Sequence, residues 1–523
     1  MLSEILKWDG AVYTATTTKY NALDLPLRVR QYAGAAPSAE PEGEGGDYHT
    51  TLMTYDGHGR LKTRRLPQYD AGAFDSYTYY EDDAVETETD PRGMKTELTY
   101  DGRHHVETIA YKLPSGTPVD DLAVTFVYDA AGNRTSMADG RGASTYRYDA
   151  LSRVEEETRD FAGPGGDYTL KYAYNLGSAL TRVDYPGGAY ITYQYDSANS
   201  LTAVTGAGSS FGQGTQLAYG MKHRAWGGLK EANYADGARV VMSYDARLRP
   251  ARRDVTGVTY SGMHPGSGPS GAVYSYYDDG RLRYAQDIQD GKFDRAYAYD
   301  HAGRLKEAYT GQEARGGAQT YDRPYRQSYG YDAWDNLNSR GGYHWTNPQS
   351  DTAQYSYNRR QGWTYDAAGR VTADTWEHTY DAAGQKTKSR KQSLRSAPSR
   401  GPDAFDTEDV KIEQEYDGEG AAVGRVVTTQ HGDETGEDPA EVETERALRS
   451  TVLGGAAVYE LNDTGSVVKV YAGGAELARL MQQGTLAVVE YRRADPLTGS
   501  WVQVGQRREP DPIQALTRNS FLR

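Results

Sequence analysis

Polar and apolar residues alternate along most of this chain in short runs, and Gly, Asp and Pro cluster between those runs. In the run that ends at Asp149, Tyr146 and Tyr148 are separated by Arg147, so both rings lie on one face of an extended strand. Residues 90–93 read Asp-Pro-Arg-Gly, which is typical of a tight turn. The pattern therefore predicts strand, turn, strand, turn, with little helix.

A phrase that begins with Tyr-Asp recurs along the chain, as in YDHAGR at Tyr299 and YDAAGR at Tyr365. Neighbouring copies at Tyr128 and Tyr148 lie 20 residues apart, a length that two strands and two turns consume. Such recurrence predicts a repeat array in which each unit is a β-hairpin. Weaker copies begin at Tyr20, Tyr100, Tyr174, Tyr244 and Tyr277.

The residue types within each copy suit a turn. The Asp after the Tyr can accept turn N–H groups, and a Gly four residues after the Tyr permits a positive φ. The long interval between Tyr195 and Tyr244 predicts one degenerate repeat with a turn at residues 234–237. The structural residues predicted from the motif are Tyr55, Asp56, Gly59, Tyr128, Asp129, Gly132, Tyr148, Asp149, Tyr195, Asp196, Tyr299, Asp300, Gly303, Tyr331, Asp332, Tyr365, Asp366, Gly369, Tyr380, Asp381, Gly384, Tyr416 and Asp417.

The composition changes the picture in one respect. Hydrophobic residues make up only 37% of the 523 residues, the mean hydropathy is -0.79 and the net charge is -15, values that disordered chains also show. Disordered segments are poor in aromatic residues, however, and this chain has 45 Tyr against 7 Phe. Tyr can bury its ring while its hydroxyl keeps a polar partner, so a sheet with one Tyr-rich packed face and one solvated face is expected.

The repeated motif resembles the YD-repeat family, which includes bacterial rearrangement-hotspot (Rhs) proteins, the C component of insecticidal toxin complexes and animal teneurins. The resemblance spans roughly Tyr20 to Tyr416. It implies an all-β fold in which antiparallel β-hairpins spiral into a curved or closed hollow shell. In the bacterial members, that shell can enclose a toxic C-terminal segment.

The C-terminal part departs from this family. Residues 459–466 are similar to the opening of the family's core region, and residues 511–513 are similar to its Asp-Pro-Ile-Gly segment, but Gln514 replaces the glycine. The resemblance therefore does not imply self-cleavage here. Asp495 and Asp511, each followed by Pro, are the nearest candidates for such chemistry, and we expect them instead to end a strand and begin a turn.

We expect three segments: a YD-repeat β-shell body over residues 1–416, a charged junction loop over 417–446, and a short, incomplete Rhs core-like β-rich region over 447–523. The strongly charged stretches 389–409 and 430–445 are predicted as solvated loops.

No catalytic, cofactor or metal site is predicted. The chain has no Cys, which excludes disulfides and thiolate chemistry, and its ten His lack the spacing of a metal site. The acidic balance argues against a nucleic-acid partner, and no apolar run is long enough for a transmembrane helix. The N-terminus does not read as a signal peptide. We expect a secreted or cell-surface protein and a piece of a longer exported chain.

Three functions remain open at this point. The leading hypothesis is a structural shell that encloses or presents a polypeptide cargo, a toxin or effector, and contacts a neighbouring shell or secretion component. The second is a surface recognition module in which Tyr and Trp bind glycans or a cell-surface receptor; its candidates are Trp334, Trp345, Trp363 and Trp376. The third, a polysaccharide-active enzyme, ranks last because no catalytic constellation stands out.

Overall fold

The structure is a computed structural model that describes most of the chain. The described residues are 2–8, 11–37, 47–162, 166–208, 211–257, 270–318, 324–344, 347–396, 405–433, 436–437, 439–483, 486–493, 495–499, 501–503 and 506–508.

Short antiparallel strands dominate these residues, as the alternating pattern predicts. The first strands are β1 Leu2–Trp8, β2 Ala11–Tyr20, β3 Pro26–Ala33, β4 Tyr48–Tyr55, β5 Leu61–Arg65, β6 Asp75–Tyr79, β7 Val85–Thr89, β8 Lys95–Tyr100, β9 Val106–Lys112, β10 Val124–Tyr128, β11 Arg134–Asp139, β12 Gly142–Tyr148 and β13 Val154–Phe161. There follow β14 Asp167–Tyr174, β15 Leu180–Asp184, β16 Ala189–Tyr195, β17 Leu201–Gly208, β18 Gly212–His223, β19 Leu229–Tyr234, β20 Arg239–Tyr244, β21 Pro250–Thr256, β22 Ser270–Tyr276, β23 Leu282–Asp287, β24 Arg295–Tyr299, β25 Leu305–Thr310, β26 Tyr325–Tyr331, β27 Leu337–His344 and β28 Asn347–Thr352.

The strands of the second half are β29 Tyr355–Ser356, β30 Arg359–Arg360, β31 Thr364–Tyr365, β32 Val371–Ala373, β33 Glu377–Tyr380, β34 Lys386–Ser396, β35 Phe405–Tyr416, β36 Ala422–Asp433, β37 Gly436–Glu437, β38 Glu441–Ser450, β39 Ala456–Asn462, β40 Gly465–Ala472, β41 Ala475–Gln483, β42 Leu486–Tyr491, β43 Trp501–Gln503 and β44 Gln506–Arg508. Helix is confined to one turn, α1 Gly311–Ala314, and to 3-10 turns at Asp120–Leu122, Pro186–Gly188 and Gly291–Phe293. Among the described residues, no helix is long and apolar enough to cross a membrane.

The described chain divides into two compact units. Unit 1 comprises residues 1–169, 332–336 and 353–464, and unit 2 comprises 170–331, 337–352 and 465–523. In both units successive strands pair antiparallel, so the basic element is a hairpin.

Each motif Tyr marks the same irregularity of pairing. Tyr128 pairs with Arg134 and Tyr148 pairs with Val154, six residues later in each case, and the register shifts by one residue just before the Tyr. The shift is a β-bulge, which increases the local twist of the hairpin. Because the same bulge recurs at Tyr244, Tyr276 and Tyr299, the repeat is conformational as well as compositional.

The two units differ in their buried layer. In unit 1, small groups such as Val124, Phe126 and Met137 are buried, and the described residues 50–123 contain no buried apolar side chain. In unit 2 the inward positions of successive strands form a continuous apolar layer. Its buried members include Leu170, Val183, Ile191, Val204, Leu217, Ala285, Tyr297 and Tyr325.

The prediction of charged loops is wrong at three places. Residues 389–396, 422–433 and 441–445 lie in β34, β36 and β38, three of the longer strands of unit 1. Opposite charges lie across from each other in these hairpins, as in the pair of Arg390 and Asp409 at 2.5 Å. Cross-strand pairing of this kind lets a highly charged sequence form a sheet with two solvated faces.

The repeat frame also needs two corrections. In the weak copy assigned to Tyr277, the residue at the bulge is Tyr276, and Tyr277 occupies the position of the motif Asp. In the degenerate repeat, the turn at residues 234–237 is present, but the turn that lacks its motif is Arg224 to Gly228. His223 stands there in place of the Tyr, which is why the motif was not recognisable.

Candidate functional site: repeat turns and a seam between distant repeats

The Asp of the motif organises its turn through both carboxylate oxygens. In the first strong copy, Asp56 Oδ1 accepts the backbone N–H groups of His58 and Arg60, each at 2.9 Å, and Oδ2 accepts Arg60 Nε at 2.7 Å. The backbone closes the turn, since Gly59 N–H donates to the Asp56 carbonyl at 3.1 Å and Gly59 has φ +83°. This arrangement is an Asx-turn reinforced by an ion pair.

The other predicted motif residues occupy equivalent positions. Backbone N–H groups two or four residues later donate to the carboxylates of Asp129, Asp149, Asp196, Asp300, Asp332, Asp366, Asp381 and Asp417. Gly132, Gly303, Gly369 and Gly384 all have a positive φ. Ser152 and Asn199 take the same conformation, so the turn does not require glycine at every copy.

The environments of these carboxyls set their pKa values in two opposite directions. The backbone N–H of His105 and the further hydrogen bonds of its turn lower the pKa of Asp101 to about 2. At Asp381 and Asp417, burial outweighs the turn hydrogen bonds and raises the pKa. Gln385 and Ala421 stand where Arg occurs in other copies, so neither carboxyl has the charged partner four residues later that Asp56 has.

The motif tyrosines connect consecutive hairpins. The Tyr128 hydroxyl donates to the carbonyl of Val106 at 2.9 Å, and Val106 is the residue six positions after the preceding Tyr100. The same bond joins Tyr55 to Pro26, Tyr79 to Leu61, Tyr100 to Val85, Tyr148 to Arg134, Tyr195 to Leu180, Tyr244 to Leu229, Tyr276 to Pro250, Tyr299 to Leu282, Tyr331 to Leu305, Tyr380 to Val371 and Tyr416 to Lys386. Tyr365 differs, because it donates to Arg360.

An arginine in the turn adds a contact that the sequence reasoning missed. The Arg60 guanidinium lies 4.6 Å from the ring centre of Tyr79, the Tyr of the next repeat. Arg304 lies over Tyr331 at the same distance, and Arg370 lies over Tyr380 at 5.4 Å. The signal available in the sequence was an Arg five residues after the Tyr. Each such contact contributes about 0.5–1 kcal/mol at an exposed site.

Turns far apart in the sequence join along what we call the seam of unit 1. Arg92 donates to the carbonyls of Asp381 and Ala382 at 2.7 and 3.0 Å, across 289 and 290 residues of sequence. Arg370 contacts the Asp90 carboxylate at 3.1 Å. The turns of later repeats therefore pack on the opposite-edge turns of earlier ones.

The seam continues at a buried ion pair. Asp139 and Arg159 lie 2.9 Å apart with side chains only 4% and 6% exposed, and Asp139 Oδ2 also accepts the Gly418 N–H at 2.8 Å. Gly418 is required there, because a Cβ would lie 2.5 Å from Val124 Cγ1. Further along, the Thr451 N–H donates to the Glu157 carboxylate at 3.1 Å.

Unit 2 has its own contacts between distant segments. Asp495 is buried; its Oδ2 accepts the Tyr274 hydroxyl at 2.8 Å, and its Oδ1 accepts the N–H groups of Leu497 and Thr498. Asp495 therefore does begin a turn, as expected, and it also anchors that turn to β22. The other candidate, Asp511, lies outside the described residues.

Two neighbouring contacts hold the same C-terminal segment of unit 2. Arg493 pairs with Asp236 at 2.6 Å, and its carbonyl accepts Arg253 Nη2 at 2.9 Å. Tyr185 donates to the Lys469 carbonyl at 3.3 Å. Side chains of the earlier repeats thus contact both ends of this segment.

The tryptophans do not form one groove within the described residues. Trp334 stacks on the buried His49, with ring centres 4.0 Å apart, and its indole N–H lies 3.5 Å from the Gln31 carbonyl. Trp363 and Trp376 each lie under a cation, Arg360 and Lys391 respectively. Trp345 lies outside the described residues. In the described part of the chain, no cluster of three or more His, Asp or Glu is placed to hold a metal ion.

Comparison with known proteins agrees with this geometry. Residues 128–166, which contain two of the turns described above, match the RHS repeat family model. No curated protein sequence matches the chain.

Solved structures share the fold. The chain is similar to the "TcdB2-TccC3-TEV" crystal structure with a TM-score of 0.64 and 13% identity, over 94% of this chain and 27% of that one. A mutant Tc holotoxin pore of Photorhabdus luminescens gives a TM-score of 0.64 at 14% identity, over 94% and 26%. The chain thus spans about a quarter of the length of the solved chains it matches.

Proposed function

We propose that this chain, an RHS-repeat protein, forms part of the wall of a hollow β-shell that encloses or presents a polypeptide cargo in a secreted bacterial system. The seam of unit 1 carries the proposal, because contacts there join turns 279 to 294 residues apart in the sequence. An antiparallel ribbon whose edges are bound to its own later repeats leaves few open edges, which is what a container wall requires.

The wall acts by exclusion in this proposal. It separates the cargo from its surroundings, and the many tyrosines offer a surface that is both aromatic and hydroxylated. Such a surface offers a cargo chain weak contacts of several kinds, which disfavour a single compact fold of the cargo.

We also propose that a neighbouring shell or secretion component docks on the turns of unit 2. Leu176, Trp226 and Leu248 lie at turn tips and are 105%, 46% and 53% exposed. In unit 1, a side chain at the equivalent tip, Trp334, is covered by His49, so a tip of this type is suited to packing. The similar solved structures bear the names of two-component complexes.

The chain has no catalytic activity of its own in this proposal, self-cleavage included. Each oxygen of Asp495 already accepts hydrogen bonds, from Tyr274 on one side and from its own turn on the other. In addition, Gln514 replaces the glycine that the related cleavage motif contains.

Protease protection tests the container. An unstructured peptide with a protease site is appended after Arg523, and in a matched variant the same peptide is inserted at the exposed turn of Gly72. We expect the appended peptide to be cleaved much more slowly than the inserted one, and both to be cleaved at equal rates after unfolding. Equal rates in the folded protein would overturn the container.

Intact mass tests the absence of self-cleavage. Purified protein and the Asp495→Asn variant are incubated side by side for several days. We expect full-length mass in both. A defined cut in the parent that is abolished by Asp495→Asn would contradict the proposal.

A further inference from the structure

An open cavity of about 430 Å³ lies on the partly exposed side of unit 2, across β22 to β25. Its central row is Ser275, Tyr284, Ala296 and Tyr309, which are paired in register on four successive strands. The buried residues of these strands, such as Tyr297, have their side chains on the other face of the sheet.

The row has a gap where a small ligand fits. Ala296 presents only a methyl group, whereas Tyr284 and Tyr309 stand on the strands on either side of it. These two strands are two spacings apart, so the rings stand about 9–10 Å from each other if both are perpendicular to the sheet. The cavity therefore has two aromatic walls and a small, apolar floor.

Both walls are held in place. The Tyr284 hydroxyl donates to Asp294 Oδ2 at 3.0 Å. Burial, followed by a hydrogen bond to a carboxylate, raises the pKa of each phenol to about 12; the carboxylate is Asp294 for Tyr284 and Glu307 for Tyr309. Both hydroxyls thus stay protonated at neutral pH, and their rings need little reordering when a ligand binds.

The charge at the cavity is positive on one side. Arg283, the bulge residue of its hairpin, is exposed and lies over the Tyr277 ring at 5.9 Å. Among the described residues no carboxylate pairs with the Arg283 guanidinium, whereas Arg315 pairs with Asp294 at 2.6 Å. Arg283 is therefore the group available to an anionic ligand.

We propose that this cavity binds a single sugar ring that carries a carboxylate, such as a uronic acid residue of a glycan. The ring lies between Tyr284 and Tyr309 above Ala296, and the Arg283 guanidinium pairs with the carboxylate, a match of planar donors and acceptors. This site goes beyond the container function and does not depend on it.

Two observations favour a sugar over a nucleotide. A flat base between two rings fills about 7–8 Å, at about 3.5–4 Å from each, and a puckered sugar ring fills more of a gap of about 9–10 Å. A net charge of -15 also opposes a ligand with several phosphate charges more than one with a single carboxylate.

The test is a titration of the full chain with glucuronate, glucose and adenosine monophosphate, followed by calorimetry and by the tyrosine fluorescence. We expect saturable binding of glucuronate that is weakened by added salt, weaker binding of glucose, and no binding of the nucleotide. Absence of saturable glucuronate binding would overturn the proposal, as would a nucleotide that binds as tightly as glucuronate.

Three variants locate the site. Arg283→Gln should weaken glucuronate binding about 10- to 100-fold and leave glucose unchanged, because only the charged contact is lost. Ala296→Leu fills the gap and should abolish binding of both sugars. Gln194→Leu makes a similar change at an exposed position of β16 and should alter neither. If Arg283→Gln and Ala296→Leu bind glucuronate like the parent while their circular dichroism is unchanged, the site is not this cavity.

Discussion

The hairpins of residues 50–123 and those of residues 170–331 contain the same turn and the same tyrosine hydrogen bond, but they differ in what lies beneath them. In the described part of the first region no apolar side chain is buried, and the buried Asp75 and Thr87 are polar. In the second region Leu170, Val183 and Ile191 are fully buried. Hydrogen bonding of the motif therefore suffices to specify the hairpin, whereas the stability of a hairpin depends on the apolar residues between the motifs.

The largest expected difference between the regions is for loss of a motif ring. Tyr299 packs against the buried cluster of unit 2, so Tyr299→Ala should lower the free energy of unfolding by about 2–4 kcal/mol. Tyr79→Ala, in the region without that layer, should cost about 1–2 kcal/mol. Chemical denaturation followed by circular dichroism measures both. Tyr219→Ala, at a more exposed ring, is the control and should change little. Equal losses at Tyr299 and Tyr79 would show that the buried layer is not what distinguishes the regions.

A smaller effect is expected at the anchor of Asp495 in unit 2. Tyr274→Phe removes the hydroxyl that donates to the buried carboxylate and should cost about 1–3 kcal/mol, because the Asp495 oxygen loses its partner without access to water. Asp495→Asn combined with Tyr274→Phe should cost less than the sum of the two single changes. Additive losses, measured by the same denaturation, would mean that the two groups do not interact.

The seam is the counterpart of that anchor in unit 1. Arg92→Ala should cost about 1–2 kcal/mol, since the side chain is largely buried and donates to two carbonyls as well as to Asp90. Its matched control is Arg252→Ala, which removes an exposed pair with Asp254 and should change the free energy of unfolding by less than about 0.5 kcal/mol. If both variants unfold at the same denaturant concentration, the seam does not stabilise unit 1.

Loss of a single motif hydroxyl should be alike in both regions. Tyr128→Phe and Tyr244→Phe each remove a hydrogen bond to a backbone carbonyl while the ring remains, so each should cost about 0.5–1.5 kcal/mol. Melting temperatures of the two variants are compared with that of the parent. A cost in only one region would show that the shared bond is not equivalent across the repeats.

The smallest effects are expected from the turn carboxyls, and their signs are opposite. The pKa of Asp56 is lowered from 3.8 to about 2; burial opposes this shift, but backbone and Arg60 hydrogen bonds outweigh it. Its contribution to stability is present above pH 3.8 and is lost as the pH falls through 2. Burial raises the pKa of Asp381, so its charged form destabilises the fold, and stability falls as the pH rises through that raised pKa.

Melting curves at several pH values test these signs. Asp56→Asn should lower the melting temperature at pH 7, with a difference that shrinks toward pH 2. Asp381→Asn should raise it at pH 7, with a difference that vanishes near pH 4, because the buried charge is then already neutral. The same sign for both variants would contradict this assignment.

Much of the local structure could be predicted from the sequence. The positions of the Asx-turns, the positive φ at Gly132 and Gly303 and the shared face of Tyr146 and Tyr148 follow from residue types at fixed spacing. The prediction failed where one residue type was lost, as at His223, and where charge was taken as a sign of a loop, as in β36. In both cases the neighbouring strands supply the pairing, and a single strand does not reveal that in its own sequence.

The sequence by itself determined the hairpin, its turn and its bulge, because these depend on contacts between residues fewer than about 30 positions apart. Only the tertiary structure decided which turns meet along the seam, that Asp139 is buried with Arg159, and that Asp495 contacts Tyr274. These contacts join residues 20 to 294 positions apart, and most of them use the same Asp, Arg and Tyr that every repeat contains. Identical motifs cannot tell each other apart in the sequence. The accumulated twist of the intervening strands determines which copies become neighbours.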